Sequence, residues 1–266
     1  MTQYTAIHVT VDDRGVASLE LAATEKRNAL SAAMIAEITD FATTLPTDGS
    51  IRVVVLSGQG SMFCAGGDLA WMKEQINADR AQRMREGRKL ANMLRVLNEL
   101  PVPLIGRVHG GAFGGGIGLC CVCDLVVADE ETKFGLTETK LGLIPATISP
   151  YVIARMSEGK AREVFMSSRI FGAERAQSLN IVTQIVPASE MDAAIAHEVE
   201  PYLHTAPNAV AASKALARAL GPRIDDAVIE DTIRRLADTW EGEEAAHGID
   251  AFLTKTKARW AQFSPF

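Results

Sequence analysis

The first third of the chain alternates short strand-like runs with helical stripes. Residues 7–10 and 16–21 carry strand-forming residues on either side of the turn-forming stretch Asp12-Asp13-Arg14-Gly15, which predicts a β-hairpin. A helix that begins near Asn28 or Ser31 follows, because apolar residues then recur at helical spacing. Its predicted buried stripe consists of Leu30, Met34, Ile38, Phe41 and Leu45.

Further along, residues 52–57 form a β-branched run without alternation, which predicts a strand buried on both faces. The next buried strand is predicted over residues 104–108, and another strand over residues 125–128. Helices are predicted from about Asp68, over residues 79–100, and from Pro150, which suits the first position of a helix. A short helix ending near Asn180, strand-like residues 181–186 and a mainly helical region from about Ser189 complete the pattern. The chain is therefore predicted to be an α/β protein with a helical C-terminal region.

Composition narrows the classes of function. The 266 residues are 47% hydrophobic and carry a formal net charge of −6, which argues against broad nucleic-acid binding. No apolar run is long enough to span a bilayer, and residues 1–13 resemble no secretory signal. These features lead us to expect no membrane partner.

The four cysteines are Cys64, Cys120, Cys121 and Cys123. A disulfide scaffold would spread its cysteines along the chain, whereas three of these lie in one apolar run. Zinc would need a second pair of ligands, and only His109 and Cys64 could converge on Cys120 and Cys123. We expect reduced, buried cysteines, no metal, and a cytoplasmic location.

Two segments share the order of buried strand, glycine-containing loop and helix. They are VVVLSGQGSMFCAGGDL (residues 53–69) and LIGRVHGGAFGGGIGL (residues 104–119). Such junctions present unpaired backbone N–H groups to an anion. The second has neither the lysine of a P-loop nor the glycine spacing of a dinucleotide site. Two alternatives remain: tight helix-on-strand packing, or a pair of donors for an oxyanion.

One carboxylate stands out in the segment KFGLTETKLGLIPATISPYV (residues 133–152). Glu138 lies between apolar residues and a proline-containing loop, where a raised pKa would suit a general acid or base. The alternative is an exposed loop glutamate paired with Lys140.

Several motifs together make the chain resemble the enoyl-CoA hydratase/isomerase (crotonase) family. They are EKRNALS (residues 25–31), MFCAGGDL (62–69), GGAFGGGIGLCCVCD (110–124), KFGLTETKLGLIP (133–145) and AFLTKTKARW (251–260). The resemblance implies a spiral of β-β-α turns over residues 1–200 and an α-helical oligomerisation region over residues 201–266. It also implies a homotrimer or a dimer of trimers.

The resemblance implies acyl-CoA thioester substrates, with coenzyme A as part of the substrate and no permanently bound cofactor. Gly67 and Gly115 would supply the backbone N–H groups of an oxyanion hole, and Glu138 would be the catalytic acid and base. The residues implied for binding coenzyme A or substrate are Lys26, Arg27, Ala65, Leu69, Tyr151 and Lys255. The implied pathways are fatty acid or branched-chain amino acid degradation.

The chain departs from the family pattern at Gly118, where many hydratases carry a second glutamate in the pattern GGGxE. Three alternatives follow: hydration by Glu138 alone, isomerisation by proton shuttling through Glu138, or another reaction of a thioester. The segment LGLIPATISPYVIARM and the stretches AFGGGIGL and DLAWM resemble the bacterial 3-methylglutaconyl-CoA hydratase branch. Its acyl group ends in a carboxylate, for which Ser149, Tyr151 and Arg155 are the candidate partners.

A rival hypothesis is RNA binding by a basic helix over residues 79–100. Its cations would lie on a charged face that is otherwise simply solvated. They are Arg80, Arg83, Arg85, Arg88, Lys89 and Arg95.

Overall fold

The computed structural model describes residues 4–261, and a six-stranded sheet forms the centre of that region. The strands are β1 (Ile7–Val11), β2 (Val16–Leu21), β3 (Val53–Gly58), β4 (Leu104–Val108), β5 (Gly111–Phe113), β6 (Leu125–Asp129), β7 (Lys133–Gly135), β8 (Ile170–Gly172) and β9 (Gln184–Val186). The order of strands in the large sheet is β1-β2-β3-β4-β6-β9, in which β1 is antiparallel to β2 and each later neighbour is parallel. A small second sheet has the order β5-β7-β8.

The helices agree with the predicted stripes. Ser31 caps the first helix by accepting a hydrogen bond from the N–H of Met34 at 3.2 Å, and Met34, Ile38 and Phe41 are buried. Asp68 and Asp79 cap the next two helices. The helices are α1 (Ala32–Thr44), α2 (Leu69–Asn77), α3 (Arg80–Asn98), α4 (Gly115–Val122), α5 (Ser149–Ser167), α6 (Ala173–Ser178), α7 (Met191–Leu203), α8 (Pro207–Leu220), α9 (Asp226–Trp240) and α10 (Glu243–Leu253).

The predicted hairpin and the strands buried on both faces are confirmed. Ile7 pairs with Leu21 and Val11 with Ala17 in β1 and β2. On one face of the large sheet, residues such as Leu56 pack in the main core with side chains of α1, α3 and α4. On the other face, residues such as Val53 pack against α7. The absence of alternation in these strands follows from this double burial.

The small sheet was not predicted as strands. Each of its strands is three residues long, which is too short for a hydrophobic period to show. Its position matters for function, because β5 leads directly into the glycine-rich start of α4.

The C-terminal region is helical, as predicted, and folds back on the core. α9 packs along α3, and α10 packs on the loop after β7. α7 spans the predicted boundary between residues 200 and 201, so the division into two parts stays a prediction. Within residues 4–261, no helix has both the length and the apolar character needed to cross a bilayer.

Candidate active site

The first glycine junction lies between β3 and α2 and leaves one backbone donor free. Leu30 donates its N–H to the carbonyl of Gly66 at 2.8 Å and accepts from the N–H of Asp68 at 3.3 Å. Gly67 lies between these two bonds, and its N–H has no acceptor among residues 4–261. The Asp68 carboxylate meanwhile accepts from the first N–H groups of α2 and fixes the start of that helix.

The second junction lies between β5 and α4. Gly114 has φ +48° and turns the chain into the helix, a backbone conformation that disfavours other residues. Its carbonyl accepts from the N–H groups of Ile117 and Gly118 at 2.9 and 3.2 Å. Within the described part of the chain, the N–H of Gly115 in the first turn of α4 has no acceptor. An oriented donor is therefore present at a helix N-terminus.

Leu30 links the two junctions, a role that was not predicted from the sequence. Its backbone bridges to Gly67, and its Cδ1 lies 2.6 Å from the point where a Cβ on Gly115 would stand. A side chain at Gly115 would require this leucine side chain to move. The two free donors are thus held on either side of one buried residue.

Glu138 begins a 3₁₀ turn (Glu138–Leu141) in the loop after β7. Its Oε1 lies 2.9 Å from the position of a Cβ on Gly114, and its Oε2 is buried with no hydrogen-bond partner among residues 4–261. Burial raises the pKa of this carboxyl to about 7. The alternative of an exposed glutamate paired with Lys140 is therefore wrong.

Gly67, Gly115 and Glu138 line one cavity of about 100 Å³, which we call the Glu138 cavity. Sequence reasoning placed these three residues on three separate loops, and the fold brings them together. The sequence carries no signal for the side chains that form the remaining walls, because they come from several helices and loops that meet only in the fold. They are Leu30, Ile35, Trp71, Met72, Leu90, Leu143, Ile144, Pro145, Ala146, Thr147, Ile148, Leu236 and Trp240.

Position 118 contributes no carboxylate and leaves no room for one. Ile148 Cγ2 lies 2.6 Å, and Leu94 Cδ2 3.6 Å, from the point where a Cβ on Gly118 would stand. The space next to the helix is thus apolar. Glu138 is the sole ionisable side chain among the residues that line the Glu138 cavity.

Four of the residues predicted to bind coenzyme A gather beside the first junction. Lys26 is exposed and lies 3.2 Å from the buried carboxylate of Asp68. The N–H of Ala65 donates to the carbonyl of Arg27 at 3.0 Å, and Leu69 is exposed at the first position of α2. This cluster forms part of the surface near the free N–H group of Gly67, and its role in binding stays a prediction.

Tyr151 and Lys255 lie elsewhere. The Tyr151 side chain is 2% exposed, and its hydroxyl has no hydrogen-bond partner in the described structure. It lines a second cavity of about 1250 Å³ together with Arg155, and burial raises its pKa to about 12. Ser149 donates its hydroxyl to the carbonyl of Ala146 at 2.6 Å, and Lys255 is exposed after α10. None of these four residues lines the Glu138 cavity.

The cysteines are buried and free, as predicted. Burial raises the pKa values of Cys64, Cys121 and Cys123 to about 12, so these thiols stay protonated near neutral pH. No cluster of three potential metal ligands occurs among residues 4–261. The cysteines therefore act as small apolar residues behind α4.

The basic residues of α3 contact the protein itself. Arg80 pairs with Asp238 and Glu241 of the C-terminal region, and Arg88 pairs with Glu230. Lys89 pairs with Glu86 and Arg95 with Asp226, so four of the six predicted RNA-binding cations are paired with carboxylates of the protein itself.

The Glu138 cavity thus combines two free backbone N–H groups with a buried carboxylate, the arrangement that the family resemblance implies. The sequence matches the enoyl-CoA hydratase/isomerase family over residues 12–263. The chain belongs to this family. The predictions of an α/β crotonase-type fold and of an enoyl-CoA hydratase as the enzyme class are confirmed.

Individual relatives agree with this assignment. The crystal structure of an enoyl-CoA hydratase from Shewanella pealeana has a TM-score of 0.79 and 34% identity, and the match covers 97% of each chain. An enoyl-CoA hydratase from Mycobacterium avium has a TM-score of 0.83 at 29% identity, covering 97% of this chain and all of that one. A mevalonyl-coenzyme A hydratase of Aspergillus fumigatus is 30% identical over 242 residues, 89% of this chain and 87% of the relative.

Proposed function

We propose that this protein adds water across the α,β double bond of a short, branched acyl-CoA thioester, with Glu138 as its single acid and base. The observation that carries the proposal is the meeting of Glu138, Gly67 and Gly115 on one cavity. No bound cofactor takes part, and coenzyme A belongs to the substrate.

In the first step, the thioester oxygen accepts hydrogen bonds from the N–H groups of Gly67 and Gly115. Glu138 removes a proton from a water molecule, whose oxygen bonds to the β carbon while the electrons of the double bond move to the thioester oxygen. Loss of one oxyanion donor in another enzyme lowers the rate by about 10²–10³. The two backbone donors are therefore expected to supply a large part of the catalysis.

In the second step, the protonated Glu138 returns its proton to the α carbon, and the enolate collapses to the thioester. Hydrogen and hydroxyl have then been added to the same face of the double bond. A carboxyl with a pKa of about 7 exchanges protons readily in both directions at neutral pH. This property supports one residue serving in both steps.

Isomerisation is the second candidate, and the missing carboxylate at Gly118 is the observation that favours it. A single buried base that moves a proton along the acyl chain needs no water. The Glu138 cavity is largely apolar, which also suits a reaction without water.

One experiment separates the two reactions. A 2-enoyl-CoA and the 3-enoyl-CoA of the same acyl group are each incubated with the protein, and the products are separated by liquid chromatography beside both authentic isomers and identified by mass spectrometry. We expect the 2-enoyl thioester to gain the mass of one water molecule. Conversion of the 3-enoyl into the 2-enoyl thioester, without gain of water, would support the isomerase instead.

The coenzyme A moiety is proposed to lie against Lys26, Arg27, Ala65 and Leu69, with Lys255 reaching it from a neighbouring subunit. A homotrimer, or a dimer of trimers, is supported by α8, which buries none of its residues within one chain. Two of its leucines, Leu216 and Leu220, are 61% and 80% exposed. The free cysteines support a cytoplasmic location.

A further inference from the structure

Trp240, the last residue of α9, forms part of the wall of the Glu138 cavity. It meets Trp71 of α2 edge-on, with ring centroids 6.3 Å apart and planes at 82°. It is 6% exposed and packs with Leu141 and Leu143 from the Glu138 loop. The C-terminal region of the chain thus covers the cavity with a large rigid side chain.

The residues that line the Glu138 cavity include no cation that could pair with a charged acyl group. Thr147 is the sole hydroxyl-bearing side chain in the lining, and Ile148 fills the space next to Gly118. A carboxylate at the end of an acyl group would lose its hydration there without gaining a partner, which is strongly unfavourable. It would also lie in the same small cavity as Glu138 and repel the charged form of that residue.

Arg83, the cation that lies against the Trp240 ring, makes its hydrogen bonds to the backbone of α2. The guanidinium carbon of Arg83 is 5.8 Å from the centroid of the Trp240 ring. Arg83 donates to the carbonyl oxygens of Gln75 and Ile76 at 3.0 and 3.1 Å, so its hydrogen bonds hold the end of α2. Arg83 does not line the Glu138 cavity, and the indole ring is the group that does.

The volume of the Glu138 cavity also limits the acyl groups that fit into it. An apolar cavity of about 150 Å³ in another protein holds benzene. The Glu138 cavity, at about 100 Å³, is smaller and is lined by side chains packed into the core clusters.

From these features we infer that the Glu138 cavity selects short, uncharged acyl groups and that Trp240 sets the upper limit of their size. The inference rests on the proposed function for the identity of the substrate as an acyl-CoA thioester. It excludes the acyl group implied by the resemblance to the 3-methylglutaconyl-CoA hydratase branch, because that group ends in a carboxylate. The matched uncharged compound is 3-methylcrotonyl-CoA.

Binding is measured first, because it does not depend on turnover. Isothermal titration of the wild-type protein with saturated thioesters should show butyryl-CoA binding at least about tenfold more tightly than glutaryl-CoA, a typical cost for a misfit in a pocket. Decanoyl-CoA should also bind more weakly than butyryl-CoA. Equal or tighter binding of glutaryl-CoA would overturn the charge selection, and tight binding of decanoyl-CoA would overturn the size limit.

The role of Trp240 is tested with Trp240→Ala, Trp240→Leu and the control Trp260→Ala. Trp260 also contacts a neighbouring ring, that of His247, but it is outside the Glu138 cavity. We expect kcat/KM for trans-2-decenoyl-CoA relative to crotonyl-CoA to rise at least about tenfold in Trp240→Ala and less in Trp240→Leu. The control should keep the wild-type ratio. An unchanged ratio in folded Trp240 variants would contradict the inference.

Failure of this inference differs visibly from failure of the proposed function. If the protein binds butyryl-CoA selectively but hydrates neither 3-methylcrotonyl-CoA nor crotonyl-CoA, the selection stands and hydration is wrong. If it hydrates 3-methylglutaconyl-CoA faster than 3-methylcrotonyl-CoA, hydration stands and the charge selection is wrong. Should Trp240→Ala fail to fold, the wild-type binding series and Trp240→Leu still decide the outcome.

Discussion

Ile148 occupies the space that a side chain at Gly118 would need, with its Cγ2 2.6 Å from the position of that Cβ. Gly118 supplies no second carboxylate, and Ile148 fills the space in which one would stand. The site is built around one ionisable group, and adding another by a single substitution should fail.

Gly118→Ala should lower the free energy of unfolding by about 1–3 kcal/mol, because overpacking against Ile148 outweighs the better helix propensity of alanine. Gly159→Ala in α5 is the matched control, since a Cβ there meets no atom within 4 Å. Urea unfolding of both variants checks this. Gly118→Glu should also fail to raise the rate of hydration, and a faster enzyme would contradict our account of position 118.

Gly114→Ala should lower kcat by about 10² or more, because small misplacements of a catalytic group have effects of that size. The alanine Cβ would stand 2.9 Å from Oε1 of Glu138, at a residue whose φ of +48° also disfavours a side chain. Gly172→Ala, where a Cβ meets nothing within 4 Å, should leave kcat unchanged. A Gly114→Ala variant with wild-type kcat would show that the reaction does not depend on the observed position of the Glu138 carboxylate.

The pH dependence of kcat/KM should report the titration of Glu138. Addition of water begins with the carboxylate form, so kcat/KM should rise about tenfold per pH unit below its pKa and level off above about 7. The rate is measured from pH 5 upward with a short enoyl-CoA. An acid limb centred near 4.5, the ordinary value for glutamate, would show that burial does not control this group.

The contribution of Glu138 to the free energy of unfolding should fall as pH rises, whereas kcat/KM rises. Burial raises the pKa of Glu138 from 4.5 to about 7, so the folded protein keeps a proton that the unfolded chain loses between these values. The contribution of Glu138 to folding therefore falls as pH rises from about 4.5 to 7 and is constant above. Glu138→Gln removes this penalty and should be more stable than wild type at pH 8 by up to about 3 kcal/mol. Urea unfolding of both proteins from pH 4 to 8 measures this. A Glu138→Gln variant as stable as the wild type at every pH would contradict the raised pKa of Glu138.

Much of this arrangement was predictable from the sequence. The two strand-loop-helix junctions contain glycines where donors are needed, and the hydrophobic patterns placed α1, α3 and the buried strands within a few residues of their observed bounds. Glu138 was identifiable as a carboxylate in an apolar segment. These features are local, so a short stretch of sequence carries each of them.

The walls of the site were not predictable in the same way. Ile148 meets Gly118 and Trp240 meets Trp71 across long separations in the chain, and neither pair shares a local pattern. Tyr151 is a further example: its hydroxyl made it a candidate partner for an acyl carboxylate, but the residue lines the second cavity and not the Glu138 cavity. Side-chain direction from a helix depends on how that helix packs, which the sequence pattern alone does not set.

The central claim is that Glu138 performs both proton transfers, and Glu138→Gln tests it most directly. The glutamine keeps the shape of the side chain and removes its ability to carry a proton. The account predicts that kcat for hydration falls by about 10²–10⁴ while the dissociation constant for butyryl-CoA stays close to the wild-type value. A Glu138→Gln enzyme that hydrates its substrate at the wild-type rate would contradict it.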